Sequence, residues 1–127
     1  MSGNRYLLDT NAVIALLQGN QQVLQLLQNP DWIGISIISQ LEFMAFTGLT
    51  ESDRQLFNQF LQQVEVVGLQ SEQTDLIDLI IQLRQTYRLP LPDVVIAATA
   101  IQVNARLITA DKQLKTIQEL TVVDFIP

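Results

Sequence analysis

Five short apolar runs, separated by longer stretches with helical periodicity, leave this chain few folds to choose from. Tyr6–Leu8, Ile33–Ile37, Val64–Leu69, Arg106–Thr109 and Thr121–Phe125 read as strands. Thr10 or Asn11 can cap a helix running through Leu17 and closing near Gly19, and Gln21–Gln28 forms a short helix stopped by Asn29-Pro30. Ser39–Thr47 reads as a helix with Gly48 as its carboxyl cap. Thr50-Glu51-Ser52-Asp53 has the form of a capping box, with Asp53 in place of the usual Glu or Gln. It opens a helix whose apolar residues are Leu56, Phe57, Phe60, Leu61 and Val64. Ser71–Tyr87 is the longest helix, with Leu76, Ile80, Leu83 and Tyr87 on one face. After Pro90-Leu91-Pro92, the stretch Asp93–Val103 is apolar almost all round and predicts a buried helix that Asn104 can cap, while Asp111–Glu119 predicts a short one. Strands that alternate with helices pair in parallel and are covered on both faces. The expected fold is α/β, a three-layer α/β/α sandwich around a central five-stranded, mainly parallel sheet.

The chain has 127 residues with no internal repeat and no Pro/Gly/Ser-rich linker, so one domain over 1–127 is expected. Its 48% hydrophobic content excludes disorder. Cys and His are both absent, which removes disulfides, thiolate zinc sites, cysteine nucleophiles and imidazole bases. Chemistry must then rest on carboxylates, hydroxyls, amides and seven Lys and Arg residues, with or without a hard metal ion. Asp9-Thr10-Asn11 interrupts the first apolar run, so no secretory segment is read there, and no apolar stretch is long enough for a membrane span. A cytoplasmic location is the resulting expectation.

Four acids fall at telling places. Asp9 and Asp111 each lie just past the carboxyl end of a strand, where open α/β sheets bind ligands. Asp93 opens the buried helix, where the helix dipole favours its charge. Glu42 lies three residues after Ser39, in the first turn of its helix, among apolar neighbours that predict a half-buried setting. Each alone has an ordinary reading, as a cap or a surface acid. Together, clustered carboxylates would resist ionisation without a cation. All-oxygen ligation points to Mg²⁺ or Mn²⁺ rather than Zn²⁺.

Four motifs carry a further resemblance. Tyr6-Leu7-Leu8-Asp9-Thr10-Asn11, Ser36-Ile37-Ile38-Ser39-Gln40-Leu41-Glu42, Leu91-Pro92-Asp93-Val94-Val95-Ile96-Ala97-Ala98-Thr99-Ala100 and Leu107-Ile108-Thr109-Ala110-Asp111 occur in one order along nearly the whole chain. In that order and spacing the chain resembles the PIN-domain ribonucleases, in particular the VapC-type toxins of toxin–antitoxin pairs. The resemblance implies a sheet with the first and fourth strands side by side, and an acidic quartet of Asp9, Glu42, Asp93 and Asp111 holding divalent metal. Thr10, Asn11, Ser39 and Thr109 match polar positions that orient carboxylates and water; a plain helix cap is the other reading of Thr10. Gln113 stands where many relatives carry a further acid, which implies weaker binding of a second metal and low activity.

The implied activity is metal-assisted hydrolysis of RNA phosphodiesters, with Asp9 and Asp111 as direct ligands and Asp93 as a ligand to a second metal or to bridging water. Glu42 is either a ligand or the group that positions the attacking water. A net charge of −6 argues against nucleic acid, but setting the quartet aside leaves nine acids against seven cations. Arg84, Arg88, Arg106, Lys112 and Lys115 are candidates to line an RNA groove. A homodimer and a cognate antitoxin are the implied partners. Ser71–Tyr87, Gln21–Gln28 and Ser39–Thr47 are candidates for those contacts. Alternatives are a PIN-fold RNA-processing nuclease outside a toxin–antitoxin pair and a catalytically weak scaffold. A haloacid-dehalogenase-type phosphatase is disfavoured, because it needs a second Asp where Asn11 stands.

Overall fold

The computed structural model describes residues 3–127; Met1 and Ser2 lie outside the described residues. Strands β1 (Arg5–Leu8), β2 (Trp32–Ser36), β3 (Glu65–Val67), β4 (Arg106–Ile108) and β5 (Val122–Val123) form one sheet in the order β3-β2-β1-β4-β5. Every pair is parallel; Leu8 lies opposite Ile35 on one side and Ile108 on the other. Helices α1 (Thr10–Leu17) and α2 (Gln21–Leu26) join β1 to β2, and α3 (Ile37–Met44) and α4 (Glu51–Leu61) join β2 to β3. The chain then reverses across the sheet through α5 (Thr74–Tyr87) and α6 (Leu91–Gln102) to reach β4.

That reversal decides which helix covers which face. Right-handed crossovers place helices on one face while strands add in one direction and on the other once the direction changes. Two hydrophobic clusters follow. Tyr6 and Leu8 pack with α1, α2, Phe43 of α3 and Phe57 of α4. Leu7 and Leu107, pointing the other way along their strands, pack with α5, α6, Leu114 and Ile117. The three-layer parallel α/β sandwich expected from the sequence is the fold observed.

Local boundaries differ where side chains cap differently than expected. The α1 cap is Asp9, whose Oδ1 accepts from the Ala12 amide at 2.8 Å, not Thr10 or Asn11. Helix α3 starts earlier than Ser39, because the Ser36 hydroxyl accepts from the Ile38 amide at 3.1 Å, and it ends at the Ala45 cap rather than at Gly48. Glu42 is therefore in the second turn of α3, not the first. The Thr50–Asp53 capping box forms as expected, with both bonds at 3.0 Å. Asp111–Glu119 does not make an α-helix. Asp111 Oδ1 captures the Gln113 amide at 2.9 Å, and only a 3₁₀ turn over Leu114–Thr116 follows, burying Leu114 and Ile117 three residues apart. Asn104 takes φ +62° just beyond the α6 cap at Val103, a conformation Asn tolerates well.

Candidate active site

Because β1 and β4 are neighbours at the point where strand order reverses, their carboxyl ends flank the crevice where such sheets take ligands. The Asp9 amide donates to the Ile108 carbonyl at 3.2 Å, which joins the two strand ends directly. Asp9, Asp111, Asp93 from the first turn of α6 and Glu42 from α3 line one pocket of about 190 Å³, with Thr10 and Asn11 at its edge. Four separate elements thus deliver the quartet to one place. Ile96 and Leu114 form its apolar wall, each three residues after an acid of the quartet. Sequence reading passed over both, although on α6 that spacing puts Ile96 on the same helix face as Asp93.

The acids sit in unequal surroundings. Asp9 is 6% exposed, Asp93 and Asp111 are half-buried, and Glu42 is exposed. The half-buried setting expected for Glu42 is not found, since Leu41 beside it is 58% exposed. Thr10 Oγ1 donates to Glu42 Oε1 at 2.6 Å and so ties α1 to α3 across the pocket mouth. Thr109 is fully buried; its hydroxyl accepts from the Asp111 amide at 3.0 Å and donates to the Asp9 carboxylate. One hydroxyl therefore links the two strand-end acids. Ser39 is buried in α3 with no hydrogen-bond partner among the described residues, and it does not line the pocket.

Burial pushes the Asp9 carboxyl up. The bonds from Thr109 and Ala12 oppose that shift, and the charges of Asp111 and Asp93 add to it. Asp93 is likewise raised, first by burial and then by Asp111 and Glu42. The folded chain therefore holds more protons than the unfolded chain between the ordinary value of 3.8 and the raised values. Stability falls as pH rises through that window. Lowering the pH from neutral into the window is expected to raise the Tm of the metal-free chain relative to an Asp9→Asn/Asp93→Asn double variant. Parallel melting curves for the two chains would reveal no such difference if the carboxyls were unperturbed.

Thr109→Val keeps the shape and removes both hydrogen bonds. It leaves the Asp111 amide unpaired and strips Asp9 of a donor. A loss of about 1–3 kcal/mol is expected in chemical denaturation, together with a further rise in the Asp9 pKa by NMR titration.

The donor set suits a hard divalent cation: carboxylate oxygens that repel one another, with no thiolate or imidazole nearby. Among the described residues no three acids stand close enough to share one ion without moving. Glu42 is exposed on the rim, where the Thr10 hydroxyl holds one of its oxygens.

The candidate cations do not gather here. None of Arg84, Arg88, Arg106, Lys112 and Lys115 lines the pocket. Lys115 is paired with Asp124, and Arg106 begins β4 at the opposite end of the sheet, where its Nε is buried with no hydrogen-bond partner among the described residues. An RNA groove built on Arg106 is therefore corrected by the geometry.

Residues 6–120 match the PIN domain family. The chain belongs to the PIN-domain family. No curated protein matches it in sequence. Among solved structures, it is similar to a chain of a toxin–antitoxin complex from Klebsiella pneumoniae, 29% identical, with TM-score 0.76, over 92% of this chain and 96% of that one. It is similar to a chain of VapBC2 from Rickettsia felis bound to a promoter DNA fragment, 26% identical, with TM-score 0.75, over 95% and 98%. A chain of VapBC-1 from nontypeable Haemophilus influenzae, 23% identical, with TM-score 0.76, over 94% and 96%, shares the fold. The PIN match runs from the second residue of β1 to two residues before β5 and so takes in all four acids.

Proposed function

We propose that this PIN domain is a divalent-metal-dependent endoribonuclease and the toxin of a VapBC-like toxin–antitoxin pair. The carrying observation is the convergence of Asp9, Glu42, Asp93 and Asp111 on one pocket at the switch point of a parallel sheet. The likeness to the Klebsiella and Rickettsia toxin–antitoxin chains supports the biological role.

In this reading Asp9, Asp111 and Asp93 hold Mg²⁺ or Mn²⁺. When bound, the ion stabilises charge developing on the scissile phosphate and lowers the pKa of nearby water. Thr109 fixes the mutual orientation of Asp9 and Asp111. Thr10 occupies one Glu42 oxygen and leaves the other to bind the ion or to orient the attacking water. Ile96 and Leu114 restrict water around the phosphate. Asn11, which lines the pocket, keeps its proposed part in orienting carboxylate or water; Ser39, buried in α3 away from the pocket and without a hydrogen-bond partner among the described residues, does not. At position 113 the backbone amide holds Asp111 whatever the side chain. A second ion gains no carboxylate there and binds weakly.

A cognate antitoxin would cover apolar surface on and just after α3, where Leu41 is 58% and Phe46 63% exposed. A homodimer of one-domain chains acting in the cytoplasm completes the proposal. No helix among the described residues is long and apolar enough to cross a membrane.

The test is cleavage of total cellular RNA by the purified chain with Mg²⁺ or Mn²⁺, beside EDTA and an Asp93→Asn control. Discrete cuts that vanish in both controls are expected. Identical products from folded wild type and variant would leave a scaffold as the reading.

A further inference from the structure

Resting on the nuclease reading, a second cleft speaks to what the enzyme recognises. Asn11, Ile14 and Gln18 lie three and four residues apart on α1 and its cap, so they form one ridge beside the acidic pocket. On one flank of this ridge a cleft of about 540 Å³ runs between Ala15, Gly19 and Pro127 and ends at Asp111. Asn11 and Asp111 also line the acidic pocket, so the two spaces adjoin through shared side chains. A group seated in the cleft would lie next to the reacting phosphate.

The cleft's chemistry narrows that group. No Lys or Arg lines it, and its one side-chain carboxylate is Asp111, so it does not suit a phosphate. Ile14, Ala15, Ala110 and Pro127 offer apolar faces to a flat ring. Its far wall is firmly held: Asn20 caps α2 through Val23 and donates to the Ile126 carbonyl at 2.9 Å, while the Ile126 amide donates to Gln22 at 2.6 Å. The backbone amides of Gly19 and Asn20 are spent on Leu16 and Ala15. Among the described residues, this leaves the side-chain carboxamides of Asn11 and Gln18 without hydrogen-bond partners. A carboxamide presents a donor beside an acceptor, the pattern that reads a base edge. Single-stranded RNA is read through bases splayed out of the stack in this manner.

We infer that this cleft holds the nucleobase flanking the scissile phosphate, with Gln18 as the specificity-determining residue and Asn11 beside it. Gln18 is exposed and serves the helix only through its backbone amide, so Gln18→Ala keeps the fold.

The test measures binding of the four ribotrinucleotides rA₃, rC₃, rG₃ and rU₃ by the Asp93→Asn chain in Mg²⁺, with and without Gln18→Ala. A preference for one base that Gln18→Ala reduces about tenfold is expected, the scale of one amide–base pair. Equal binding of all four, or a preference that Gln18→Ala leaves unchanged, overturns the assignment. RNA cleavage by the wild-type chain reports separately on the nuclease reading. Base-selective binding that Gln18→Ala weakens, without metal-dependent cutting, would sink that reading and leave the cleft as a base-binding site alone.

Discussion

Asp9→Asn is expected to lower metal-dependent RNA cleavage about a thousandfold, the scale on which losing one charged group from a preorganised site is felt, while the chain stays folded. The two halves of this result have different origins. Asp9 both caps α1 through Ala12 and faces the acidic pocket. Asn caps a helix as well as Asp does, so α1 keeps its start. The Thr109 hydroxyl, with a second lone pair to accept an amide, can adapt to the new group. What disappears is a buried negative charge that Asp111 and Asp93 repel. The Tm of the metal-free chain should therefore hold steady or rise by a few degrees. Asp9→Ala, by contrast, should lose the activity and about 1 kcal/mol of stability with the cap. Cleavage assays and melting curves on both variants check this. Wild-type cutting by Asp9→Asn would remove Asp9 from the catalytic set.

Phe57→Ala carries the largest expected effect on stability, about 3–5 kcal/mol. Phe57 is fully buried and stacks on Phe43, with ring centroids 4.0 Å apart and planes 17° apart, and Phe60 lies 6.2 Å away. This stack is the rivet between α4 and α3. A domain of this kind has about 5–15 kcal/mol in all, so Tm should fall by about 10–20 °C. Phe43 adjoins Glu42 in α3, so the loosened helix also misplaces that carboxylate, and activity should drop below the loss from unfolding alone. Phe57→Leu, which keeps most of the volume, should be milder in both respects. A Tm within a few degrees of wild type for Phe57→Ala would mean that α4 is not anchored through this ring.

The architecture was legible because its signals are local and redundant. Each apolar run of strand length was bracketed by a helical pattern, and alternation of the two admits little besides a parallel sheet. The Thr50–Asp53 box and the all-round apolar Asp93–Val103 helix were readable for the same reason: a cap and a buried helix each reveal themselves within one or two turns. Boundaries were less legible where several polar residues compete for one cap. Asp9, Thr10 and Asn11 are all able to cap α1, and only packing at the strand end selects Asp9. Ser36 and Ser39 pose the same ambiguity for α3. The failed helix after Asp111 arose from a side chain bonding its own backbone, a competition that periodicity does not register.

By itself, the sequence determined which chemistry was open to this protein. A chain without His or Cys, with acids placed after strands and at a helix start, has carboxylate chemistry and little else. The tertiary structure decided how those acids relate. The side-by-side placement of β1 and β4 depends on pairing between residues about a hundred positions apart, and no local pattern encodes it. The same pairing buries Thr109 between Asp9 and Asp111 and leaves Glu42 exposed on the rim, held by Thr10. It also sets Gln18, one of many glutamines in the sequence, at the mouth of a cleft beside the acids. Spacing along a chain reports which face of a helix a residue occupies; which other helix faces it across a sheet end is fixed only when the layers pack.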